Sequence, residues 1–367
     1  MFMLFCMKGT FTILVGDLRI DSHKLIYHPG RVADFLNGSL VYPISCEVSL
    51  SSACNHRCIF CALDYTGFKP RFMDKDVILD TLKKLHAKGL KSVVFSGEGE
   101  PFLNKYAPDI INASRQMGLD VGVSSNGAVF SHNKSNECLG LISWIRFSVA
   151  AGTAALYSQI HNTSESDFHT AISNISNAVE VRNANDYKTT IGVQMILIPE
   201  NVSEVSLLAE MVKEIGVDYF TVKPYSQNPN SINRMNGLID YNSLVEIEKD
   251  LAKLQTNRYK IYFRREAMQN LYKDRGYDKC YGMNFFTHID TLGNVAPCIT
   301  MIGDSEYSFG NIYERDILEI WNNKTEIVNK IMDEGTDSCR EICRLDAMNK
   351  YLYELKNLSS VNHVNFI

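Results

Sequence analysis

Seven of the ten cysteines in this 367-residue chain are spaced in a way that could hold metal. Three fall within eight residues, Cys54-Asn-His-Arg-Cys58-Ile-Phe-Cys61, so one loop can wrap three thiolates around a single centre. A closed zinc site and an ordinary iron–sulfur cubane each take four protein ligands. The cluster has no fourth cysteine nearby, although His56 offers a nitrogen, and an open coordination position marks a catalytic centre rather than a structural one. Cys280, Cys298, Cys339 and Cys343 gather in the last quarter and suffice to close a site of four, by zinc or by iron. Cys6, Cys46 and Cys138 stand apart and read as small hydrophobes.

Composition narrows what such centres serve. Hydrophobic residues make up 45% and charged residues 22%, which excludes a disordered chain and a membrane bundle. Lys plus Arg number 37 against 42 Asp plus Glu, so no basic field draws the chain to nucleic acid or anionic lipid, and a small-molecule or peptide substrate is expected. The first residues lack the charge and cleavage pattern of a signal peptide and the length of a membrane span, so a cytoplasmic location is expected. That compartment keeps thiols reduced, which favours metal over disulfides.

The elements that must position these groups alternate. Strand-like runs at 44–50, 92–95, 120–124, 144–149, 190–197 and 219–222 are separated by helical stretches, which predicts a parallel βα array. One helix is expected over 74–88, with Asp74 as its cap and Gly89 as its stop, and another over 202–215, ended by Gly216. Strands buried on both faces should be apolar throughout, yet one alternating face here is polar: Glu47 and Ser49, Ser96 and Glu98, Ser124 and Asn126, Arg146 and Ser148, Gln194, Thr221 and Lys223. Such a row is costly to bury without partners, so the inside of a curved sheet should hold a polar ligand and water, while Cys46 shares the parity of Val48 and faces the helices.

The Cys-x3-Cys-x2-Cys motif, with Phe60 before its last cysteine, resembles that of the radical S-adenosylmethionine (radical SAM) enzymes over residues 45–229. The resemblance implies an α/β fold, a partial (β/α)6 barrel. It also implies a [4Fe-4S] cluster on Cys54, Cys58 and Cys61 whose fourth iron is chelated by S-adenosylmethionine. Gly97-Glu98-Gly99-Glu100-Pro101 looks like the family's glycine-rich element that meets the methionine end of the cofactor, and Ser124, Asn126 and Ser148 look like the polar positions around its ribose and carboxylate. On this reading Glu47, Arg146, Gln194 and Lys223 face the substrate.

The segment from Cys280 resembles the SPASM domain: twelve residues, Gly293, four residues, then Cys298, with a hairpin turning at Gly293-Asn294, a Gly-Asn-Ile run ending at Ile312 and an Ile320-Trp321 pair. Only Cys339 and Cys343 remain, so the resemblance is to a shortened, twitch-like version with one auxiliary [4Fe-4S] cluster. The expected division is an N-terminal extension (1–43), a barrel (44–235), a connecting segment (236–275), the auxiliary-cluster domain (276–350) and a tail (351–367). The extension is too short for the peptide-binding domain of enzymes acting on ribosomal peptides. The resemblance further implies reductive cleavage of S-adenosylmethionine, fed by a flavodoxin- or ferredoxin-type donor, and hydrogen abstraction from substrate. Oxidation, epimerisation or dehydration at a carbinol or amino carbon of a sugar, aminocyclitol or nucleotide-sugar is the leading expectation. A peptide-modifying maturase is the alternative, and a non-enzymatic zinc module the third.

Overall fold

The computed structural model describes residues 22–235, 239–337, 339–358 and 362–366; Cys6 lies outside them. Six parallel strands form the body: β1 (Ser45–Val48), β2 (Ser92–Phe95), β3 (Asp120–Ser125), β4 (Trp144–Ser148), β5 (Thr190–Leu197) and β6 (Tyr219–Pro224), hydrogen-bonded in chain order. The expected helices are present. Lys75–Ala87 starts at Asp74, whose carboxylate accepts from the Asp76 and Val77 amides at 2.9 and 3.0 Å. Val205–Ile215 ends at Gly216, whose φ of +92° suits a residue without a Cβ.

Two additions enlarge this sheet. Residues read as a connector supply β7 (Lys260–Phe263), parallel to β6. The C-terminal module supplies β8 (Phe286–Ile289), parallel to β1, then β9 (Asn294–Ala296) and β10 (Gly310–Asn311), both antiparallel, which completes a ten-stranded sheet. β8 and β9 form the expected hairpin, with Gly293 at φ +85° and Asp290 Oδ1 accepting from the Leu292 and Asn294 amides at 2.9 Å each.

Strand parity separates two environments. Cys46, Val48, Val93, Phe95, Val121, Val123, Ile145, Phe147, Val193 and Val222 lie fully buried against the helices in one hydrophobic core. On the other face Ser124, Arg146, Ser148 and Lys223 keep partial exposure although they are interior to the sheet. Large rings fill the N-terminal end of that face: a Cβ on Gly122 would meet Trp144 at 2.3 Å, and one on Gly192 would meet Tyr219 at 2.1 Å. Glycine at these two positions lets the rings lie flat on the strands.

Candidate functional site

The loop after β1 carries Cys54, Cys58 and Cys61, all half-buried with free thiols. Burial raises all three thiols, Cys54 to about 11, and Cys58 is raised further by Cys61 and Cys54 beside it. As bare thiols they stay protonated at neutral pH, so a metal centre is what would draw them out as thiolates. The donor set fits a cluster better than a single ion. Among the described residues, the His, Cys, Asp and Glu ligand atoms that come three together within 4.8 Å belong to His56, Cys58 and His161, not to the three thiols. Tetrahedral zinc at 2.3 Å would hold its sulfurs about 3.8 Å apart. The wider spread suits cysteines bound to different irons of one cubane.

His161 is a member of this site that no local spacing indicates. It ends the helix Ala154–His161, and its Nε2 accepts the Ala150 amide at 3.1 Å. That bond places the ring proton on Nδ1, which lies 3.1 Å from Cys58 Sγ and donates to it. Burial, with His56 adding repulsion, holds His161 well below the ordinary histidine value, so the ring stays neutral. Phe60 packs edge-on to the same ring, centroids 5.5 Å apart, within an apolar group that includes Ala150, Ile160 and Ile198. His56 is buried, its Nε2 3.3 Å from Asp167 Oδ2.

The glycine-rich loop after β2 meets the cysteine loop backbone to backbone. The Glu100 amide donates to Ala53 O at 2.9 Å, and a Cβ on Gly99 would lie 2.2 Å from that oxygen, so only glycine permits the crossing. The carboxylates of this loop are turned into the protein. Glu100 accepts from the Asn126 amide at 2.7 Å, from Ser125 Oγ at 2.8 Å and from the Phe102 amide at 3.2 Å. Glu98 accepts from the Thr291 amide at 2.7 Å, which ties it to the β8–β9 turn. Asn126 donates to Asn55 Oδ1 at 2.7 Å and so braces the cysteine loop from β3. Gly97 at φ +116° and Pro101 bound the loop, and Ser124 and Ser148 open onto the polar face beside it. Most of the residues expected to surround the cofactor are therefore gathered at the C-terminal ends of β1 to β4.

Of the four residues expected to face substrate, Arg146, Gln194 and Lys223 lie on the inner face, with Gln194 and Arg146 in adjacent layers of the register. Glu47 is buried and ion-paired to Arg344, accepts from Ser96 Oγ, and has His288 Nδ1 at 3.8 Å. Burial alone would raise its pKa; Arg344, His288 and Ser96 together hold it well below the carboxylate range. His288 Nε2 is 2.9 Å from Ser49 Oγ, which extends this buried network along β1.

Cys280, Cys298, Cys339 and Cys343 come from three segments of the C-terminal module. Burial and then Cys343, Cys298 and Cys339 raise Cys280, and burial and then Cys298 raise Cys343 to about 11, so these thiols are neighbours. The Leu345 amide donates to Cys343 Sγ at 3.3 Å and Asn349 Nδ2 to Cys280 Sγ at 3.6 Å, donors suited to thiolate ligands. Arg340 and Arg344, between and after the last two cysteines, reach the barrel interior.

An open three-cysteine loop above a parallel barrel, joined to a four-cysteine module, defines an iron–sulfur radical enzyme. Residues 48–212 match the Radical SAM superfamily and residues 280–345 match SPASM, an iron-sulfur cluster-binding domain. The chain belongs to the radical SAM superfamily, with a C-terminal SPASM domain; its cofactors are S-adenosylmethionine, a [4Fe-4S] cluster and an auxiliary cluster. It is 25% identical over 297 residues, 76% of this chain and 80% of the relative, to the tungsten-containing aldehyde ferredoxin oxidoreductase cofactor-modifying protein of Pyrococcus furiosus. It is 29% identical over 144 residues to an S-adenosylmethionine-dependent nucleotide dehydratase of Lacinutrix mariniflava, spanning 36% of this chain and only 30% of that protein. The structure of Streptococcus suis SuiB bound to precursor peptide SuiA superposes with a TM-score of 0.65 at 16% identity, covering 90% of this chain and 77% of SuiB, and shows the shared fold. Among the described residues no helix is long and apolar enough to cross a membrane.

Proposed function

We propose that this radical SAM/SPASM enzyme is an oxidoreductase that removes a hydrogen atom from a carbinol or amino carbon of a small polar molecule, a sugar, aminocyclitol or nucleotide-sugar, and completes a two-electron oxidation. When bound, the cluster and S-adenosylmethionine together supply the 5'-deoxyadenosyl radical that makes the first step possible. The observation that carries the reading is the inner face of the sheet: Ser148, Gln194, Thr221, Arg146 and Lys223 present polar groups beneath the cysteine loop, while their strand neighbours are sealed in the core. Gln194 and Thr221 are neighbours in register and both nearly buried, an arrangement suited to orienting hydroxyl groups. Trp144 and Tyr219 fill the N-terminal end and exclude water from below.

The four SPASM cysteines support oxidation over a redox-neutral outcome, because the auxiliary cluster they would hold would serve as acceptor for the second electron of the substrate as its proton leaves to solvent, and Arg340 and Arg344 beside them extend towards the same interior. An external flavodoxin- or ferredoxin-type protein is the electron donor on this reading. Cys280→Ala or Cys298→Ala, in protein shown by circular dichroism to be folded, should keep slow formation of 5'-deoxyadenosine and lose oxidised product. Product at the wild-type ratio to 5'-deoxyadenosine would overturn the oxidative reading. The SuiB fold, seen with a precursor peptide, favours peptide modification as the second reading; turnover of a short peptide encoded beside this gene would decide for it.

A further inference from the structure

The glycine-rich loop after β2 is held at three points, and each hold leads to the C-terminal module. Ser96 Oγ donates to Glu47, whose carboxylate is ion-paired with Arg344. The Glu98 carboxylate accepts from the Thr291 amide at 2.7 Å. Between these two, the Glu98 amide donates to Ser49 Oγ at 3.3 Å, and that oxygen lies 2.9 Å from Nε2 of His288 on β8. With the Glu98 amide as donor, the serine hydroxyl directs its own hydrogen to Nε2. The ring proton is then on Nδ1, which faces Glu47 Oε2 at 3.8 Å.

The loop backbone comes down directly on this pair. A Cβ on Gly97 would lie 2.2 Å from Ser49 Oγ and 3.1 Å from His288 Cε1. Glu47, Ser49 and His288 are at most 1% exposed. β1 and β8 are already joined by their backbone ladder, in which Glu47 and His288 are opposite one another. Apolar side chains at these three positions would seal the joint without desolvating a carboxylate, a hydroxyl and an imidazole. A buried chain of donors and acceptors does what apolar contact does not: it fixes each member in direction as well as distance. At its end is the loop itself, whose Glu100 amide donates to Ala53 O at 2.9 Å, immediately before Cys54. The loop therefore borders the cluster site, where it is expected to meet the methionine end of S-adenosylmethionine.

We propose that His288 is a positioning residue for S-adenosylmethionine: from the C-terminal module, acting through Ser49, it sets the Gly97–Glu98 backbone beside the first cluster and with it the affinity of that site for the cofactor. The proposal goes beyond the oxidoreductase reading and holds whichever substrate the enzyme takes.

The test is equilibrium dialysis of S-adenosylmethionine against the anaerobically reconstituted, unreduced enzyme, so that binding is read without cleavage. His288→Leu, with the iron content and circular dichroism of the wild type, should weaken binding about 10-fold, the worth of one hydrogen bond. His288→Gln, whose side-chain amide can accept from Ser49 in place of Nε2, should recover most of that loss. Ser49→Ala breaks the same link from the other side and serves should the leucine variant fail to fold. Where both fold, the double variant should bind no more weakly than either alone, because the two substitutions remove one link. Wild-type affinity in folded His288→Leu or Ser49→Ala, even with a lowered urea midpoint, would reduce His288 to a brace between strands and overturn the proposal. Equal weakening by leucine and glutamine, or additive losses in the double variant, would overturn it as well, since packing rather than the hydrogen bond would then carry the effect.

Discussion

His161 shows what a single residue adds to a motif. It lies 103 positions from Cys58, so no spacing rule connects them, and only the fold brings its Nδ1 within 3.1 Å of the sulfur. The cysteines themselves were legible because their ligand geometry is local: three thiols on one short loop need no tertiary information. The same distinction explains Glu47, whose polar parity was readable along β1 but whose partner Arg344 lies 297 residues away. Hydrogen bonds to cluster sulfurs raise reduction potential, because they stabilise the more negative reduced state. His161→Phe should therefore leave the iron content of the first site in place, shift its midpoint potential downward and cost about 10- to 100-fold in activity, as removal of an outer partner of a metal ligand commonly does. His161→Asn, which restores an N–H near the same atom, should recover part of the potential. Potentiometry followed by electron paramagnetic resonance reads both, and equal potentials in all three proteins would reduce His161 to packing.

At the scale of elements, alternation was the informative signal. A polar row beside an apolar row in almost every strand separated cavity from core, and Cys46 falls in the core as its parity required. β7 escaped notice because Lys-Ile-Tyr-Phe is four residues long, and its place is set by pairing with β6. The helix Thr325–Glu334 illustrates a cost that sequence does not display. Lys324 precedes it, where the helix dipole disfavours a cation, and is 3% exposed with its Nζ donating to Asn284 Oδ1 at 3.1 Å. Burial pushes its pKa down to about 7, although the Trp321 ring, 3.7 Å from Nζ, offsets part of that cost. Between pH 7 and the ordinary lysine value the unfolded chain then holds a proton that the folded chain has lost. Stability contributed by this site rises with pH across that window, by at most about 1.4 kcal/mol per pH unit. Urea midpoints at pH 7, 8 and 9 should rise more steeply in the wild type than in Lys324→Met; parallel pH profiles would refute the buried, neutral lysine.

At the scale of the molecule, the SPASM module is built into the barrel. β8 lies beside β1, the Thr291 amide binds Glu98, Trp321 Nε1 donates to Val41 O at 2.8 Å, and Arg344 reaches Glu47. The sequence marked the module by its cysteines and hairpin, but pairing between strands more than 200 residues apart leaves no local trace. Glu47→Gln leaves Arg344 with a neutral partner on a buried wall. Because the arginine side chain is 45% exposed, the cost should fall between that of a surface and a buried pair, about 1–3 kcal/mol in urea unfolding. A change within error would show that the pair does not hold the module. The central claim is that Cys54, Cys58 and Cys61 hold an open-site cluster that cleaves S-adenosylmethionine while the other four cysteines hold a closed one. The direct measurement pairs iron content with 5'-deoxyadenosine formation in anaerobically reconstituted wild type and in a variant with all three cysteines replaced by alanine. Two cubanes on seven cysteines predict ~8 iron atoms in the wild type and about half in the variant, which should remain folded and form no 5'-deoxyadenosine. A folded triple variant that still forms 5'-deoxyadenosine, or a wild-type chain that takes up zinc in place of iron, would contradict it.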